Sequence, residues 1–335
     1  MRRSLRQTRM TRWGVTAALS TLLVTSIAAG AAPSFSKPNA IAVQGAHVWV
    51  TDNFSESVTE VNATTGVVMR TLSSAADRFD YPNAIASTNT DEWVVSGAGN
   101  SVTELSSSGA LVRVIDAKSD GFDYPSAIAV SHSRVWVTND FGQSVTELSA
   151  TTGSLIRLIK LKSGVLNYPV AITAHDQDVW LINGPGNSLV ELNAANGALV
   201  RVVRKSVGKF DDPSDVIVAG STVLVANGGS GSVSELDASN GSLIRVVHLD
   251  VDAKESVASR LAIVGGDAWV TTRSAVFSFN ITSGSVHSPF DSKSDQFSHA
   301  LAITASRSHL WITNSDGSSL TELRSPSGSL VRVVK

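Results

Sequence analysis

The sequence predicts an all-β protein, a seven-bladed β-propeller of four-stranded antiparallel blades. One apolar position recurs at steps of 42 to 45 residues, so that seven units fill most of the 335-residue chain. Each unit holds four short segments rich in valine, isoleucine and threonine, bounded by glycine, asparagine, aspartate and serine, as is typical of strands and turns. A period of this length built from short strands indicates a propeller. The repeated positions are Trp49, Trp93, Trp136, Trp180, Leu224, Trp269 and Trp311.

The first segment of each unit is predicted to be the innermost strand of a blade. A proline opens it in five units, where the missing N–H is harmless at the first position of a strand. Small residues follow, and they suit inner strands that crowd around a central axis. We expect one domain over residues 33–335, with blades that start near residues 38, 82, 125, 169, 213, 258 and 298. These starting residues are Pro38, Pro82, Pro125, Pro169, Pro213, Ala258 and Ser298.

The third and fourth segments are predicted to form a hairpin that carries a repeated charge pair. A glutamate of the third segment accompanies an arginine of the fourth in every unit except the sixth, which has Ser278 and Ser288. Because the two residues are lost together, we expect cross-strand ion pairs on solvated outer strands, worth about 0–1 kcal/mol each, rather than catalytic carboxylates. The pairs are Glu60/Arg70, Glu104/Arg113, Glu147/Arg157, Glu191/Arg201, Glu235/Arg245 and Glu322/Arg332.

Residues 1–32 are predicted to be a cleaved secretory signal peptide. Five arginines without an acidic residue precede an apolar run that ends in small residues, with Ala29-Gly30-Ala31 as the cleavage motif. The alternative is an uncleaved anchor, because the 20 uncharged residues 13–32 are just long enough to span a membrane. Alanine, glycine, serine and threonine dilute this run, so we favour cleavage, a secreted or cell-surface location and no stable membrane span afterwards.

Charge and cysteine content exclude several classes of function. The formal net charge is −2, and it is near −7 without the five N-terminal arginines. No basic run follows residue 12, so nucleic acid is not an expected partner. The chain has no cysteine, which excludes disulfides, thiol chemistry and thiolate metal sites. We expect a monomer whose partner is an unknown small molecule or an extracellular protein.

The unit resembles the YVTN β-propeller repeat and the related NHL repeat. The resemblance is carried by Val135-Trp136-Val137-Thr138-Asn139, by Ser144-Val145-Thr146-Glu147-Leu148 and by the opening Pro38-Asn39-Ala40-Ile41-Ala42-Val43. It covers residues 38–335 and implies a seven-bladed propeller. Proteins with such repeats include surface and periplasmic binding proteins and streptogramin-lyase-like enzymes, so the resemblance leaves the function divided.

The favoured function is a ligand- or protein-binding or scaffold module without a cofactor. The alternative is a lyase-like or lactonase-like enzyme, which the resemblance associates with a histidine and acids at the channel mouth or with a divalent metal such as Mg²⁺ or Ca²⁺. The seven histidines do not fall at one repeat position, and no convergent set of oxygen ligands is visible. A purely structural cell-surface repeat protein is a third possibility.

Unit six breaks the repeat and therefore suggests where a site could lie. It has Arg260 where other units have alanine or aspartate, and Arg273 where most others have asparagine, aspartate or glycine. It also has a longer charged loop over residues 250–259. With Asp215 of unit five and His299, which we align with Asn39, they form a hypothetical one-sided site for a carboxylate or another anion. The alternative is an Asp215–Arg260 ion pair in a degenerate blade. The recurrent Asn, Asp, Phe and Tyr of the same loops are expected to cap turns and to pack between blades.

The chain is predicted to close its ring without exchanging a strand. It begins on an inner strand near Pro38 and ends on an outer strand at Lys335. The first and last blades are therefore expected to meet by side-chain packing alone.

Overall fold

Seven four-stranded antiparallel sheets form the blades of a ring, which confirms the predicted fold class. The computed structural model describes residues 35–116, 118–249, 259–287, 289–291 and 297–335. The predicted signal peptide of residues 1–32, the charged loop 250–258 with Ala258, and Ser288 lie outside the described residues.

Each blade consists of four consecutive strands, numbered from the axis outward. The inner strands are β1 (Pro38–Gln44), β5 (Pro82–Ser87), β9 (Pro125–Ser131), β13 (Pro169–His175), β17 (Pro213–Ala219), β21 (Leu261–Val264) and β25 (Ala300–Ser306). The second strands are β2 (His47–Asp52), β6 (Asp91–Ser96), β10 (Arg134–Asn139), β14 (Asp178–Asn183), β18 (Thr222–Asn227), β22 (Asp267–Thr271) and β26 (His309–Asn314). The third strands are β3 (Ser57–Asn62), β7 (Ser101–Ser106), β11 (Ser144–Ser149), β15 (Ser188–Asn193), β19 (Ser232–Asp237), β23 (Ala275–Asn280) and β27 (Ser319–Arg324). The outer strands are β4 (Val68–Leu72), β8 (Leu111–Ile115), β12 (Leu155–Ile159), β16 (Leu199–Arg204), β20 (Leu243–His248), β24 (Phe290–Asp291) and β28 (Ser329–Val334).

Two short helices lie in the connections between blades. They are a 3₁₀ helix at Lys118–Asp120 and the helix α1 at Lys205–Gly208. No helix in the described part of the chain is long and apolar enough to cross a membrane.

The repeated tryptophans form the core between the blades. Each is buried, and each packs with the next blade in the ring, as Trp49 does with Val94 and Leu105 of blade two. Where Leu224 replaces tryptophan, the facing blade supplies a larger residue, Phe279, at a position that holds valine or leucine in the other blades. The two substitutions compensate in volume, as close packing of an interior requires.

The predicted charge pairs are confirmed as cross-strand neighbours, but the prediction that they are solvated is wrong. In the register of the blades, Glu60 stands opposite Arg70, and the arginine Nε lies 2.7 Å from the carboxylate. The six glutamate side chains are at most 3% exposed, because the adjacent blade covers them. Breaking such a covered pair by removing one partner costs about 3–5 kcal/mol, far more than for a surface pair.

The same arginines also join each blade to the next. Their Nη atoms donate to backbone carbonyls in the next third-to-fourth-strand turn, as from Arg157 to Ala195 at 3.0 Å and from Arg201 to Ser239 at 2.9 Å. The turn glycine is needed here, since a Cβ on Gly153 would lie 2.6 Å from the Arg113 side chain. Each pair is therefore a clamp between blades as well as a bond across a hairpin.

Blade six replaces this clamp with an aromatic contact. Phe290 stacks on Trp269 with ring centroids 5.3 Å apart, and its ring lies against Gly328 in the turn of blade seven. The loss of the charge pair in this blade is thus accompanied by an apolar substitute at the same interface.

The ring closes without strand exchange, as predicted. Blade one consists of β1 to β4 and blade seven of β25 to β28. Trp311 packs with Val48 and Val50 of blade one, and the Nη2 atom of Arg332 donates to the carbonyl of Thr64 at 2.9 Å. Closure therefore uses the same clamp as the other junctions, and the expectation of packing alone is corrected by this hydrogen bond.

Candidate functional site

The inner strands surround a central cavity of about 500 Å³. Its walls are mainly isoleucine, valine and alanine, with Asp215 as their one carboxylate among the described residues. One face of the ring gathers the loops between the second and third strands together with the connections that lead into the inner strands. We call this the loop face; Arg260, Arg273 and His299 of the predicted site lie on it, and Asp215 lies on the adjoining strand β17 in the cavity wall.

Most recurrent polar residues of the loop face serve the fold. Asn39 donates to the carbonyl of Pro82 at 3.1 Å, and Asn83 donates to that of Pro125 at 3.2 Å, so that they link neighbouring inner strands. Asn227 accepts a hydrogen bond from the backbone of Asp211 at 3.2 Å. Asn39 and Asn83 thus link neighbouring blades and Asn227 holds the connection into blade five, so these amides bond distant segments and do not cap local turns as expected.

Asp215 and Arg260 lie together where the inner strands of blades five and six begin. Burial raises the pKa of Asp215, although Arg260 and the backbone N–H groups of Leu261 and Val216 act in the opposite direction. The backbone N–H of Leu261 donates to the carboxylate at 2.8 Å. The Arg260 Nη1 atom donates to the carbonyl of Ser214 at 2.9 Å, so this guanidinium is already engaged in joining the blades.

Arg273 and His299 lie at the junction of blades six and seven. Arg273 is exposed, and its carbonyl accepts a hydrogen bond from the backbone of Ala300 at 3.3 Å. The Nδ1 atom of His299 is 3.5 Å from the Asp316 carboxylate. The structure thus brings the four predicted residues together as two pairs, and none of the hydrogen bonds or ion pairs among the described residues joins one pair to the other.

The proposed alignment of His299 with Asn39 is wrong by two residues. Ala302, not Ala300, donates to the threonine of the second strand as Ala40 does, so blade seven runs two residues later than we aligned it. His299 instead takes the place that precedes the inner strand, which we call the mouth position. The residues there share a positive φ of 50° to 57°, and they are Tyr81, Tyr124, Tyr168, Asp212 and His299.

Three consecutive mouth positions hold tyrosine, and with Phe141 they form an exposed aromatic arc on blades two to four. Phe141 stacks on Tyr124 with centroids 4.8 Å apart and meets Tyr168 edge to face at 6.2 Å. Tyr81 is next to them, since it contributes, after burial, to raising the pKa of the Tyr124 phenol. Phe141 is 58% exposed, while Tyr81 and Tyr168 are about 40% exposed.

Sequence reasoning treated the tyrosines as packing residues and did not single out Phe141. The signal was present, since the loop position of Phe141 is aromatic elsewhere only in blade one and holds alanine, proline, glycine, serine or aspartate in the other units. Its neighbourhood could not be inferred, because the contact with Tyr168 joins two different blades.

A buried carboxyl group was also missed. Glu92 on β6 is fully covered at a position that is valine, alanine or leucine in the other blades. Burial raises its pKa to about 8, although a hydrogen bond from Ser87 acts in the opposite direction. Ser87 in turn lies in the wall of the central cavity.

The described residues contain no group of three or more histidine, aspartate or glutamate side chains arranged to hold a metal ion. The alternative of a divalent metal therefore has no candidate ligand set in that part of the chain.

The fold defines the class of protein, a seven-bladed β-propeller, and the candidate site lies on its loop face. A streptogramin B lyase matches the chain with a TM-score of 0.72 and 14% identity, covering 87% of this chain and 94% of that one. A catalytically inactive virginiamycin B lyase from Staphylococcus aureus with quinupristin matches with a TM-score of 0.69 and 13% identity, over 84% and 94%.

Another solved structure of this shape is the hydrazine synthase of Kuenenia stuttgartiensis, with a TM-score of 0.72 and 15% identity over 89% of this chain and 98% of that one. At such identities the similarity concerns the fold, and it confirms the propeller implied by the repeat. No protein-family model and no curated protein sequence matches the chain.

Proposed function

We propose that the protein is a binding module and that the aromatic arc is its recognition surface. The observation that carries this proposal is the contiguous set of rings formed by Tyr124, Phe141 and Tyr168, of which Phe141 and Tyr168 are exposed and Tyr124 is half-buried. Apolar side chains that are exposed together, and not singly, usually mark a place of contact with a partner. Tyrosine is favoured in such places because it combines a large apolar ring with a polar group and loses little conformational entropy.

The backbone at the mouth positions supports the same proposal. A left-handed conformation costs a residue other than glycine roughly 1 kcal/mol, and asparagine or glycine would remove much of that cost. Blades two, three and four nevertheless place tyrosine there. A strained tyrosine whose ring remains exposed contributes little to the fold, which is consistent with a role in recognition.

The charged side of the mouth is a second, smaller contact region in this proposal. Arg273 and His299 have accessible side chains there. Arg260 is instead engaged with a backbone carbonyl, and Asp215 lines the central cavity. An anionic group of a ligand would be bound by Arg273 first.

Selection of peptides from a random phage-displayed library against the purified protein tests the arc. We expect selected peptides to bind at least tenfold more weakly to a Phe141→Ser variant, because one central aromatic side chain often contributes 2 kcal/mol or more to binding. Phe54→Ser is the matched control, since Phe54 occupies the same loop position in blade one and is 73% exposed. Peptides that bind the Phe141→Ser variant as well as the wild type would contradict the proposal.

An enzyme of the streptogramin-lyase type is the second candidate, and the placement of His299 beside Asp316 on the loop face favours it. Under the binding proposal, quinupristin keeps its retention time in reversed-phase chromatography after incubation with the protein, whereas elimination that opens its ring would give an isomer of the same mass and a different retention time. Conversion that is lost in His299→Ala would replace the binding proposal with an enzymatic one.

We also propose that the protein acts outside the cytoplasm, on the basis of the arginine-rich and apolar N-terminal sequence. N-terminal sequencing of protein recovered from the culture medium or the cell surface would then begin near residue 33.

A further inference from the structure

The rings of the aromatic arc form a corner with two perpendicular walls. Phe141 is inclined by 24° to Tyr124, on which it stacks, and by 86° to Tyr168, so the exposed faces of the neighbouring rings point in different directions. The face of an aromatic ring carries a partial negative charge, which attracts cations placed over it. Several aromatic rings held close together form the type of surface that binds organic cations.

A carboxylate reinforces this negative potential. Asp140 immediately precedes Phe141, and its backbone N–H donates to the carbonyl of Tyr124 at 3.0 Å. Its Oδ1 atom is covered and accepts no hydrogen bond from the described residues. Burial raises the pKa of this carboxyl group. None of the arginine and lysine ion pairs of the described residues involves it. A cation bound against the rings would supply the missing charge.

Blade one contains an internal counterpart of this arrangement. Phe54 occupies the loop position of Phe141, and the Nζ atom of Lys37 lies 5.9 Å from the centre of its ring. Lys37 stands where Tyr124 stands in blade three, directly before the inner strand. Blade one therefore supplies its own ammonium group to the ring, whereas blade three presents rings and a carboxylate without one among the described residues.

We propose that the aromatic arc binds a trialkylammonium group carried by a ligand. A quaternary ammonium needs no hydrogen-bond acceptor, and the corner offers ring faces with a carboxylate whose Oδ1 atom is covered. A primary ammonium would leave N–H donors unpaired there, which is unfavourable. This inference rests on the proposed function, because it names the ligand chemistry of the same surface.

Choline chloride and 3,3-dimethylbutan-1-ol are the probes for this inference, since they share a shape and differ in charge. In a titration followed by saturation-transfer NMR, we expect choline to bind about three- to thirtyfold more tightly than the uncharged alcohol. In Asp140→Asn this preference should fall several-fold while binding of the alcohol is retained. In Phe141→Leu both probes should bind more weakly.

Two control variants define the background. Phe54→Leu changes the equivalent ring of blade one, and Asp316→Asn changes an acidic residue across the loop face, so neither should alter binding of choline. If Asp140→Asn fails to fold, as judged by its thermal transition, Tyr168→Leu tests the same corner from the neighbouring blade.

Equal binding of the two probes, or no binding of choline, would overturn the cation inference. Unchanged choline binding in both Phe141→Leu and Asp140→Asn would overturn it as well. The proposed function would survive the first result if the peptides selected on the protein still required Phe141, so the two failures are distinguishable.

Discussion

Glu92 shows how one residue can depart from its blade while the fold is retained. Its carboxyl group occupies an apolar position, is fully covered, and has Ser87 as its hydrogen-bond partner. Burial without a cation disfavours the charged form, which is why the pKa rises to about 8. The folded protein therefore holds a proton here at neutral pH that the unfolded chain releases.

This bound proton makes stability depend on pH. Between the ordinary value of 4.5 and the folded value of about 8, the folded state binds more protons at Glu92 than the unfolded state. The free energy of unfolding then decreases as pH rises through this window and levels off above it, by up to a few kcal/mol. Burial likewise raises the pKa of Glu191 to about 7, so this second carboxyl group adds to the same trend.

Replacing Glu92 with leucine, the residue of blade seven at this position, should remove its share of the pH dependence. We expect the Tm of Glu92→Leu to exceed that of the wild type by a margin that grows from pH 5 to pH 8.5, measured by calorimetry. Glu92→Gln controls for side-chain size, and it should also flatten the curve. Parallel Tm curves for wild type and Glu92→Leu would contradict the assigned pKa.

Glu92 and His299 also mark what could and could not be predicted at single positions. Glu92 could have been found by comparing units at one repeat position, since every other unit has an apolar residue there. His299 was misplaced because strand side chains alternate with a period of two, so a shift by two residues preserves the pattern of faces. Distance from the tryptophan resolves the ambiguity, because Ala302 stands as far from Trp311 as Ala40 does from Trp49.

At the scale of the element, the space around the glycine of a hairpin turn depends on which side chain covers the turn. Gly328 and Gly45 both have a φ near +60°, but their surroundings differ. A Cβ on Gly328 would lie 1.9 Å from the Phe290 ring, whereas a Cβ on Gly45 would have no neighbour within 4 Å. An aromatic ring stacked on Trp269 cannot move aside as an arginine side chain can.

These two glycines give a matched pair of substitutions. Gly45→Ala should cost only the backbone strain, about 1 kcal/mol. Gly328→Ala should cost about 1–3 kcal/mol more, because it also overpacks the junction of blades six and seven. Chemical denaturation measures both, and adding Phe290→Ala to Gly328→Ala should cancel most of the excess. Equal losses for the two glycine variants would show that Phe290 does not restrict the turn.

The hairpin pairs illustrate a limit of prediction for elements. The spacing of Glu60 and Arg70 predicts that they face each other across a turn, since this contact is local. Their burial depends on the neighbouring blade, which contributes a carbonyl from a turn 38 residues further along the chain. No pattern within one unit contains that information.

For the whole molecule, the period predicts the number of blades, their order and the location of the core. The ring has seven junctions, and a tryptophan with a clamp holds five of them in the same way. Leu224 takes the place of the tryptophan between blades five and six, and Phe290 replaces the clamp between blades six and seven. The aromatic arc was not predicted, because it arises from side chains of successive units that meet only when the ring curves.

Deleting the last strand should open the ring. Removal of residues 329–335 eliminates Arg332, leaves His309 as the remaining partner of the covered Glu322 among the described residues and exposes the edge of β27. We expect a loss of more than about 3 kcal/mol and a lower Tm. Deletion of Lys335 alone, an exposed residue, is the control and should leave the Tm unchanged.

An unchanged Tm after removal of residues 329–335 would mean that β28 does not hold the first blade. A loss confined to blade seven, seen by hydrogen exchange, would likewise show that the junction is not cooperative.

The closing hydrogen bond from Arg332 to Thr64 is of the same kind as those at other junctions. This similarity has a consequence for the order in which the blades follow one another along the chain. The two ends of the described domain meet at a junction that has the same tryptophan and clamp as four other junctions but lacks a peptide connection. Nine residues separate β4 from β5, and Lys335 with residues 35–37 supplies four of that number, so a linker of five residues between residues 335 and 35 would restore the same connection. The molecule is then a circle with an arbitrary point of opening, and any of its blades could come first in a rearranged gene.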